Sequence, residues 1–467
     1  MFTNVKKLFK SKVVKAASWY TISDFFLKGM SFLTIPIFTR VLTTSDYGIL
    51  SLYNTWVGIF NILLGLGTVV SVNRAKIDFK EAYNQFVSSV SFLLLLLFVV
   101  FIIIIFMFNS FFSGFIGLPK YLLYFLIVQS YFMVVKSFLT AKFQFEYKYK
   151  LISIISVIVS LLGLIISIYL MLYVFKENKY NGPILGRGVC FIISGILFLI
   201  YIFHKGKEFI NFKYWKYSLV LGFPIIFHSL SHAVNGQFDR IIINKYIGLN
   251  STGIYSFAYN IGMIVTVFLG SFNTAWVPWF FEKLEQNNFN LIKSKANNYR
   301  NIFTFIYALI LFLSPEIIKI MADKSYWEGL KIIPWIFMAC YFQFMYTLEV
   351  NVEFFLKKNN FIAIGTVLSA AMNIILNIIF IPKYGYIAAA ITTAISYFFL
   401  FVFHTIITNL ILKKVIYGVR FHMISIFYVF SITILFLIFQ NLLYMRLIVI
   451  FLITILMVFK LYKYKDF

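Results

Sequence analysis

Apolar runs of bilayer length follow one another along the whole sequence, separated by short polar segments, and this pattern constrains the fold more than any motif. An α-helix rises about 1.5 Å per residue, so about 20 apolar residues cross the roughly 30 Å of a bilayer's hydrocarbon. Fourteen such runs are read, at 14–38, 47–72, 86–108, 121–141, 151–175, 184–203, 217–234, 252–281, 302–321, 332–355, 361–381, 386–412, 421–439 and 442–460. The seventh continues through Phe238 towards Ile247 as a broken or extended helix. Hydrophobic residues are 61% of the chain and charged ones 12%, which leaves too little polar surface for a water-soluble domain. The expected fold class is all-α, a polytopic membrane protein of about 14 transmembrane helices.

The net charge of +25 would suit a nucleic-acid partner if it lined one groove, but the lysines and arginines fall in short clusters between the apolar runs. Alternate segments, counted from the N-terminus, hold more than twice as many of them as the others. That is the positive-inside pattern; it excludes nucleic acid as the partner and places both termini in the cytoplasm. The opening MFTNVKKLFKSKVVK reads as a retained cytoplasmic amphipathic segment, because it lacks a compact apolar core with a small-residue cleavage site. Cys190 and Cys340 lie far apart in apolar runs and form neither a disulfide framework nor a metal site.

The chain also repeats itself. Ser45-Asp46-Tyr47-Gly48-Ile49 opens the second run and Ser251-Thr252-Gly253-Ile254-Tyr255 the eighth; Asn181-Gly182-Pro183 precedes the sixth and Tyr384-Gly385-Tyr386 the twelfth. The offsets, 48 to 253 and 182 to 385, are nearly equal, as a duplication requires. Six runs per unit is an even number, so both units share one orientation and are expected to be related by a pseudo-twofold along the membrane normal. The expected division is an N-terminal lobe at 1–216, a C-terminal lobe at 217–412 and an added helix pair at 413–467.

Within this frame the charges inside the runs are informative, since a charge at mid-membrane costs at least about 2.5 kcal/mol on insertion scales. Asp24 and Lys28 sit four apart, on one face of the first run. They form either a self-neutralising packing pair or part of a polar pathway. Lys136 is mid-run in the fourth, Asp239 and Arg240 follow the seventh, and Arg40 and Arg74 stand at run ends. Arg74, beside Lys76 and Lys80, suits plain positive-inside charge. His228 and His232 share a face of the seventh run and read as hydrogen-bonding cavity residues, with no third ligand nearby for a metal. Glu349 and Glu353 share a face of the tenth, either as an ion-coupling site or as interfacial carboxylates near Lys357 and Lys358. Tyr20, Tyr53, Trp56, Tyr255 and Tyr259 would stack sugars if exposed to a cavity, though aromatics at helical spacing usually pack. No GxxxxGK[ST], HExxH, CxxC or DxD occurs, so neither a nucleotide motor, an enzyme nor a cofactor is expected.

Pro36-x3-Arg40, Tyr47-Gly48-Ile49 and Leu64-Gly65-Leu66-Gly67, then Asp239-Arg240, Gly253-Ile254-Tyr255, Lys383-Tyr384-Gly385 and Ala388-Ala389-Ala390, resemble polysaccharide-exporting flippases of the Wzx type. That family belongs to the superfamily that also holds multidrug exporters and the flippases of the peptidoglycan lipid precursor. The resemblance covers the first twelve runs. It implies a two-lobed bundle in the bacterial cytoplasmic membrane that moves undecaprenyl-diphosphate-linked oligosaccharide to the outer leaflet by alternating access, alongside a polysaccharide polymerase and other pathway proteins. Fixed cations would offset desolvation of the diphosphate. The cavity charges expected to do so are Asp24, Lys28, Arg40, Lys136, Asp239 and Arg240, with His228, His232 and Glu349 as polar or coupling groups. The rival readings are a cation-coupled drug exporter, which prefers an anionic cavity, and a membrane polymerase or ligase, which needs a large outer loop.

Overall fold

A computed structural model describes residues 12–463; among these, the side chains of 12–18, 20, 21, 24 and 461–463 lie outside the described set. The described chain is helical throughout, the arrangement that satisfies every backbone group within one segment when no water is present. The helices are α1 (Lys12–Val41), α2 (Thr44–Gly65), α3 (Val69–Asp78), α4 (Tyr83–Met107), α5 (Asn109–Ile116) and α6 (Lys120–Phe145). Then come α7 (Tyr149–Tyr169), α8 (Asn181–Gly206), α9 (Phe212–Gln237), α10 (Asp239–Tyr246), α11 (Leu249–Glu285) and α12 (Phe289–Met321). The chain goes on with α13 (Ile333–Phe355), α14 (Asn359–Tyr384), α15 (Tyr386–Ile406), α16 (Val419–Phe439) and α17 (Leu443–Lys463).

Each of the fourteen expected runs falls on a long helix. Twelve helical stretches among the described residues are long and apolar enough to cross a membrane; α1 and α13 are not among them. The α13 helix carries Gln343, Glu349, Asn351 and Glu353, which lower its mean hydropathy, and it is nevertheless buried along most of its length. Such a helix is shielded from lipid by its neighbours. The seventh run, expected to continue towards Ile247 as a broken or extended helix, is broken, with α9 ending at Gln237 and α10 starting at Asp239.

By their internal contacts the residues divide into a unit up to Ala233 and a unit from Val234. Several helix contacts recur in the two. In the first, α1 packs on α7, α2 and α4 on α6, and α6 and α7 on α8. In the second, α10 packs on α14, α11 and α12 on α13, and α13 and α14 on α15. This correspondence is what a duplication of six-helix units produces. The N-terminal part of α9 is tied into the first unit, where Tyr217 Oη donates to Asp78 Oδ2 at 2.5 Å and Ser71 and Ser218 hydroxyls meet at 2.7 Å. In the second unit α16 packs on α12 and α13, and α17 lies on α12. There Arg446 grips Glu316 with both terminal nitrogens at 2.5 Å and also donates to the Phe312 carbonyl at 2.7 Å. A bidentate pair of this kind fixes the helix in orientation as well as position.

Two local features explain residues that stood out in the sequence. Thr43 and Asp46 form a reciprocal capping box at the start of α2, each side chain accepting the other's backbone N–H at 3.1 Å. At the far end Leu66 and Gly67 take positive φ, 46° and 64°, and Gly67 meets Gly222 of α9 backbone to backbone. A Cβ on either glycine would collide with the other's main chain.

Candidate functional site

In the first unit the expected cation Lys136 lies half-buried on α6, its ammonium 4.9 Å above the centre of the Phe191 ring of α8. One turn earlier on that face of α8 stands Arg187, to which the sequence reading gave no role. Its Nη2 donates to Thr34 Oγ1 of α1 at 3.3 Å, and its guanidinium sits 5.1 Å from the centre of Phe38, also of α1. Helices α1, α6 and α8 are thus joined at two cations that rest on aromatic faces and a hydroxyl. A ring face stabilises a cation by roughly 0.5–2 kcal/mol and leaves it formally uncompensated. Lys28 and Arg40 are exposed on α1. The expected Asp24–Lys28 pair cannot be placed, since the Asp24 side chain lies outside the described residues. Arg74 is exposed and pairs with Asp78 at 3.3 Å, as a surface charge.

Asp239 and Arg240 stand at the start of α10, and the structure separates their roles. Asp239 is fully buried and accepts from Tyr255 Oη of α11 at 2.5 Å, Asn377 Nδ2 of α14 at 2.6 Å and Thr393 Oγ1 of α15 at 2.9 Å. Asn377 also donates to Asn373 Oδ1 at 3.0 Å and accepts from Thr392. Four helices of the second unit therefore converge on one carboxyl group, each bringing a neutral donor or the acid itself. Arg240 turns instead to the Gly236 carbonyl, at 3.0 Å, and lies 4.7 Å from the centre of the Tyr259 ring. A carboxyl buried among polar donors depends on its hydrogen bonds, which makes each of them matter.

Glu349 and Glu353 are enclosed by the second unit. Both are buried, on one face of α13, and their neighbours are histidines rather than Lys357 and Lys358. Glu353 Oε1 lies 2.7 Å from His404 Nδ1 of α15, and Glu349 Oε1 3.1 Å from His422 Nε2 of α16. Thr408, in the π-helical turn Ile407–Ile411 that extends α15, donates to Glu349 Oε2 at 2.5 Å. Among the described residues no group of three or more His, Cys, Asp or Glu side chains is arranged to hold a metal ion.

His228 and His232 share a face of α9, as the spacing required, and both are exposed. The aromatics pack: Tyr53 donates to Gln129 at 2.7 Å, Trp56 to the Ile116 carbonyl at 3.2 Å, and Tyr255 to Asp239. The Tyr20 side chain lies outside the described residues. Cys340 is buried with its Sγ 3.7 Å from the Gly262 carbonyl, and Cys190 is half-buried.

Against known proteins, the family described as polysaccharide biosynthesis protein matches residues 13–284. A protein of the Lsg locus of Haemophilus influenzae is 24% identical over 417 residues, 84% of this chain and 98% of that protein. An uncharacterized membrane protein of Methanocaldococcus jannaschii is 24% identical over 443 residues, 87% of this chain and 85% of its own. Among solved structures, the lipid II flippase MurJ in an inward closed conformation superposes with a TM-score of 0.73 at 19% identity, over 96% of this chain and 99% of that one. An inward-facing multidrug resistance MATE family transporter of the MOP superfamily gives 0.65 at 14% identity, over 86% and 99%. At such identities the likeness is one of fold.

Proposed function

We propose, since this chain belongs to the polysaccharide biosynthesis protein family, that it is a flippase for lipid-linked oligosaccharide. The substrate is an oligosaccharide repeat unit on undecaprenyl diphosphate, carried by alternating access from the cytoplasmic to the outer leaflet of the cytoplasmic membrane. Both termini lie in the cytoplasm, and a polysaccharide polymerase acts on the delivered unit. The chain performs no covalent chemistry in this reading.

The observation that carries the proposal is the pair Lys136 and Arg187, cations within the spanning helices of the first unit that rest on Phe191, Phe38 and Thr34. A diphosphate entering a dry protein interior loses its hydration, and fixed cations replace it. Cations held by ring faces keep their field available to an incoming anion, whereas a carboxylate partner would cancel it. A drug exporter of the same fold would instead need acidic groups to receive cationic drugs, and that rival has less support here. The fold shared with a lipid II flippase is compatible with the reading.

The test is surface glycan display in cells that depend on this protein, normalised to protein in the membrane. Lys136→Met and Arg187→Met, alone and together, are expected to accumulate normally and to lose display. Undiminished display from the double variant would remove the cationic site from the mechanism.

A further inference from the structure

The second unit contains a polar centre that the proposed substrate path does not use. We propose that Glu349, Glu353, His404 and His422 form a proton-binding centre that takes up and releases protons through the adjacent cavity. Its place in a transport cycle rests on the flippase reading; its proton chemistry does not.

The geometry gives two carboxyl–imidazole pairs on three helices, 2.7 Å apart in Glu353–His404 and 3.1 Å in Glu349–His422. All four side chains are at least nine-tenths buried. With both carboxyls ionised and both imidazoles neutral the centre carries two negative charges in a dry interior. One proton per pair brings it to neutrality, whether the proton rides on nitrogen or on oxygen. The arrangement is also short of partners, as a permanently neutral core would not be. Glu353 Oε2, His404 Nε2 and His422 Nδ1 have no hydrogen-bond partner among the described residues, and the Glu349 Oε1–His422 Nε2 approach is one of distance only, neither atom having hydrogen-bond geometry. His404 Nε2 faces the backbone at Gly365, where not even a Cβ would fit. With these atoms unpaired, no single protonation state satisfies the whole set.

The surroundings suit proton exchange. The charged and titratable groups around the pairs are few. Tyr346 of α13 stacks on His404 at 6.1 Å, and Tyr417, ahead of α16, lies 6.5 Å from the His422 ring. From α12, Arg300 is held against the Phe421 carbonyl and 4.9 Å from the centre of the Phe421 ring, while α11 brings Phe280 against Tyr417. None of these supplies a second carboxylate or a lysine in ion-pair contact with the histidines. Beyond Tyr417 and Phe421 opens a cavity of about 370 Å³, lined also by Lys293, Asn297 and Arg420. Tyr417 and Phe421, which line it, also hold their rings against His422. A hydronium ion gives its proton to the His422–Glu349 pair and leaves as water, and the reverse step releases it. The neighbouring Glu353–His404 pair, one turn along α13, is the more enclosed of the two.

Infrared difference spectroscopy between acidic and neutral pH tests this on the full-length protein in phospholipid vesicles, without any glycan. The wild type labelled with ¹³C-glutamate is expected to gain an isotope-shifted carboxylic-acid C=O band with accompanying imidazole bands on acidification. Glu349→Gln and Glu353→Gln are each expected to remove about half of that buried acid signal. Should neither variant accumulate, the labelled wild type still decides. Absence of a buried glutamic-acid band, a band untouched by either variant that accumulates, or a stoichiometric metal ion bound through these residues overturns the proposal.

Discussion

The Asp239 centre permits a stability prediction with its magnitude worked from named bonds. Asp239→Ala leaves Tyr255 Oη, Asn377 Nδ2 and Thr393 Oγ1 without their acceptor in the interior of the second unit. Interhelical hydrogen bonds in membrane proteins are worth about 0.6 kcal/mol on average, and an orphaned buried donor costs at least about 1 kcal/mol. Three such losses give roughly 2–3 kcal/mol. For a unit of this size each kcal/mol shifts the melting temperature by about 2–4 °C, so a fall of roughly 4–12 °C is expected. Asp239→Asn keeps an acceptor for Tyr255 and Thr393 but sets its own NH2 against that of Asn377, so about half the loss is expected. Adding Asn377→Asp restores donor opposite acceptor at position 239 but removes the donor to Asn373 Oδ1, so it should recover part of it. The assay is thermal unfolding of purified full-length protein in detergent, followed by tryptophan fluorescence. An unchanged melting temperature for Asp239→Ala, or a swap no better than Asp239→Asn, would refute the reasoning.

Other outcomes follow from the same physical grounds. Lys28→Met is expected to accumulate normally but fail in surface glycan display, whereas Lys28→Arg, which keeps the charge with different geometry, displays weakly; normal display from the methionine variant returns Lys28 to a packing role. Gly67→Ala meets both a φ of 64° and the Gly222 main chain, so it should cost a few kcal/mol and sharply reduce accumulation in the membrane. Arg446→Leu strips α17 of its grip on Glu316 and Phe312, and limited proteolysis should then cut ahead of α17 faster than in the wild type. Reporter fusions after Lys150 should read cytoplasmic and those near Lys383 exterior; a cytoplasmic signal at Lys383 would break the duplicated topology.

The helices themselves were legible, because length and apolarity decide what crosses a bilayer and little else competes. That the seventh run continues towards Ile247, broken or extended, could be read for the same reason, but not the position of the break or that Asp239 starts a helix. The partners of Asp239 could not. Asn377 and Thr393 lie more than a hundred residues away, and an asparagine or threonine in an apolar run gives no sign of which face it turns inward. Glu349 and Glu353 at helical spacing announced a polar face, and His404 with Thr408 repeat that spacing on α15; the match between the two stripes was available but not compelling without contacts. Arg187 passed unnoticed near the start of its run, where charges are common, although α8 begins at Asn181 and places it in the second turn. The glycines of the repeat show a different limit. Gly182 is needed because Met171 presses on it, whereas Gly385 is needed for a φ of 72°, so one sequence match covers two physical causes.

The central claim, movement of a lipid-linked oligosaccharide between leaflets, is tested most directly in vesicles. Purified protein is reconstituted with undecaprenyl-diphosphate-linked oligosaccharide spread over both leaflets, and a glycosidase that cannot enter is added outside. Protein-free vesicles should stop at about half digestion, since the inner pool is out of reach. Vesicles holding the wild type are expected to go to near completion, and those holding Lys136→Met with Arg187→Met to stop with the protein-free control. Wild-type vesicles that also stop at half, while extruding a cationic dye, would contradict the account and favour the drug-exporter reading.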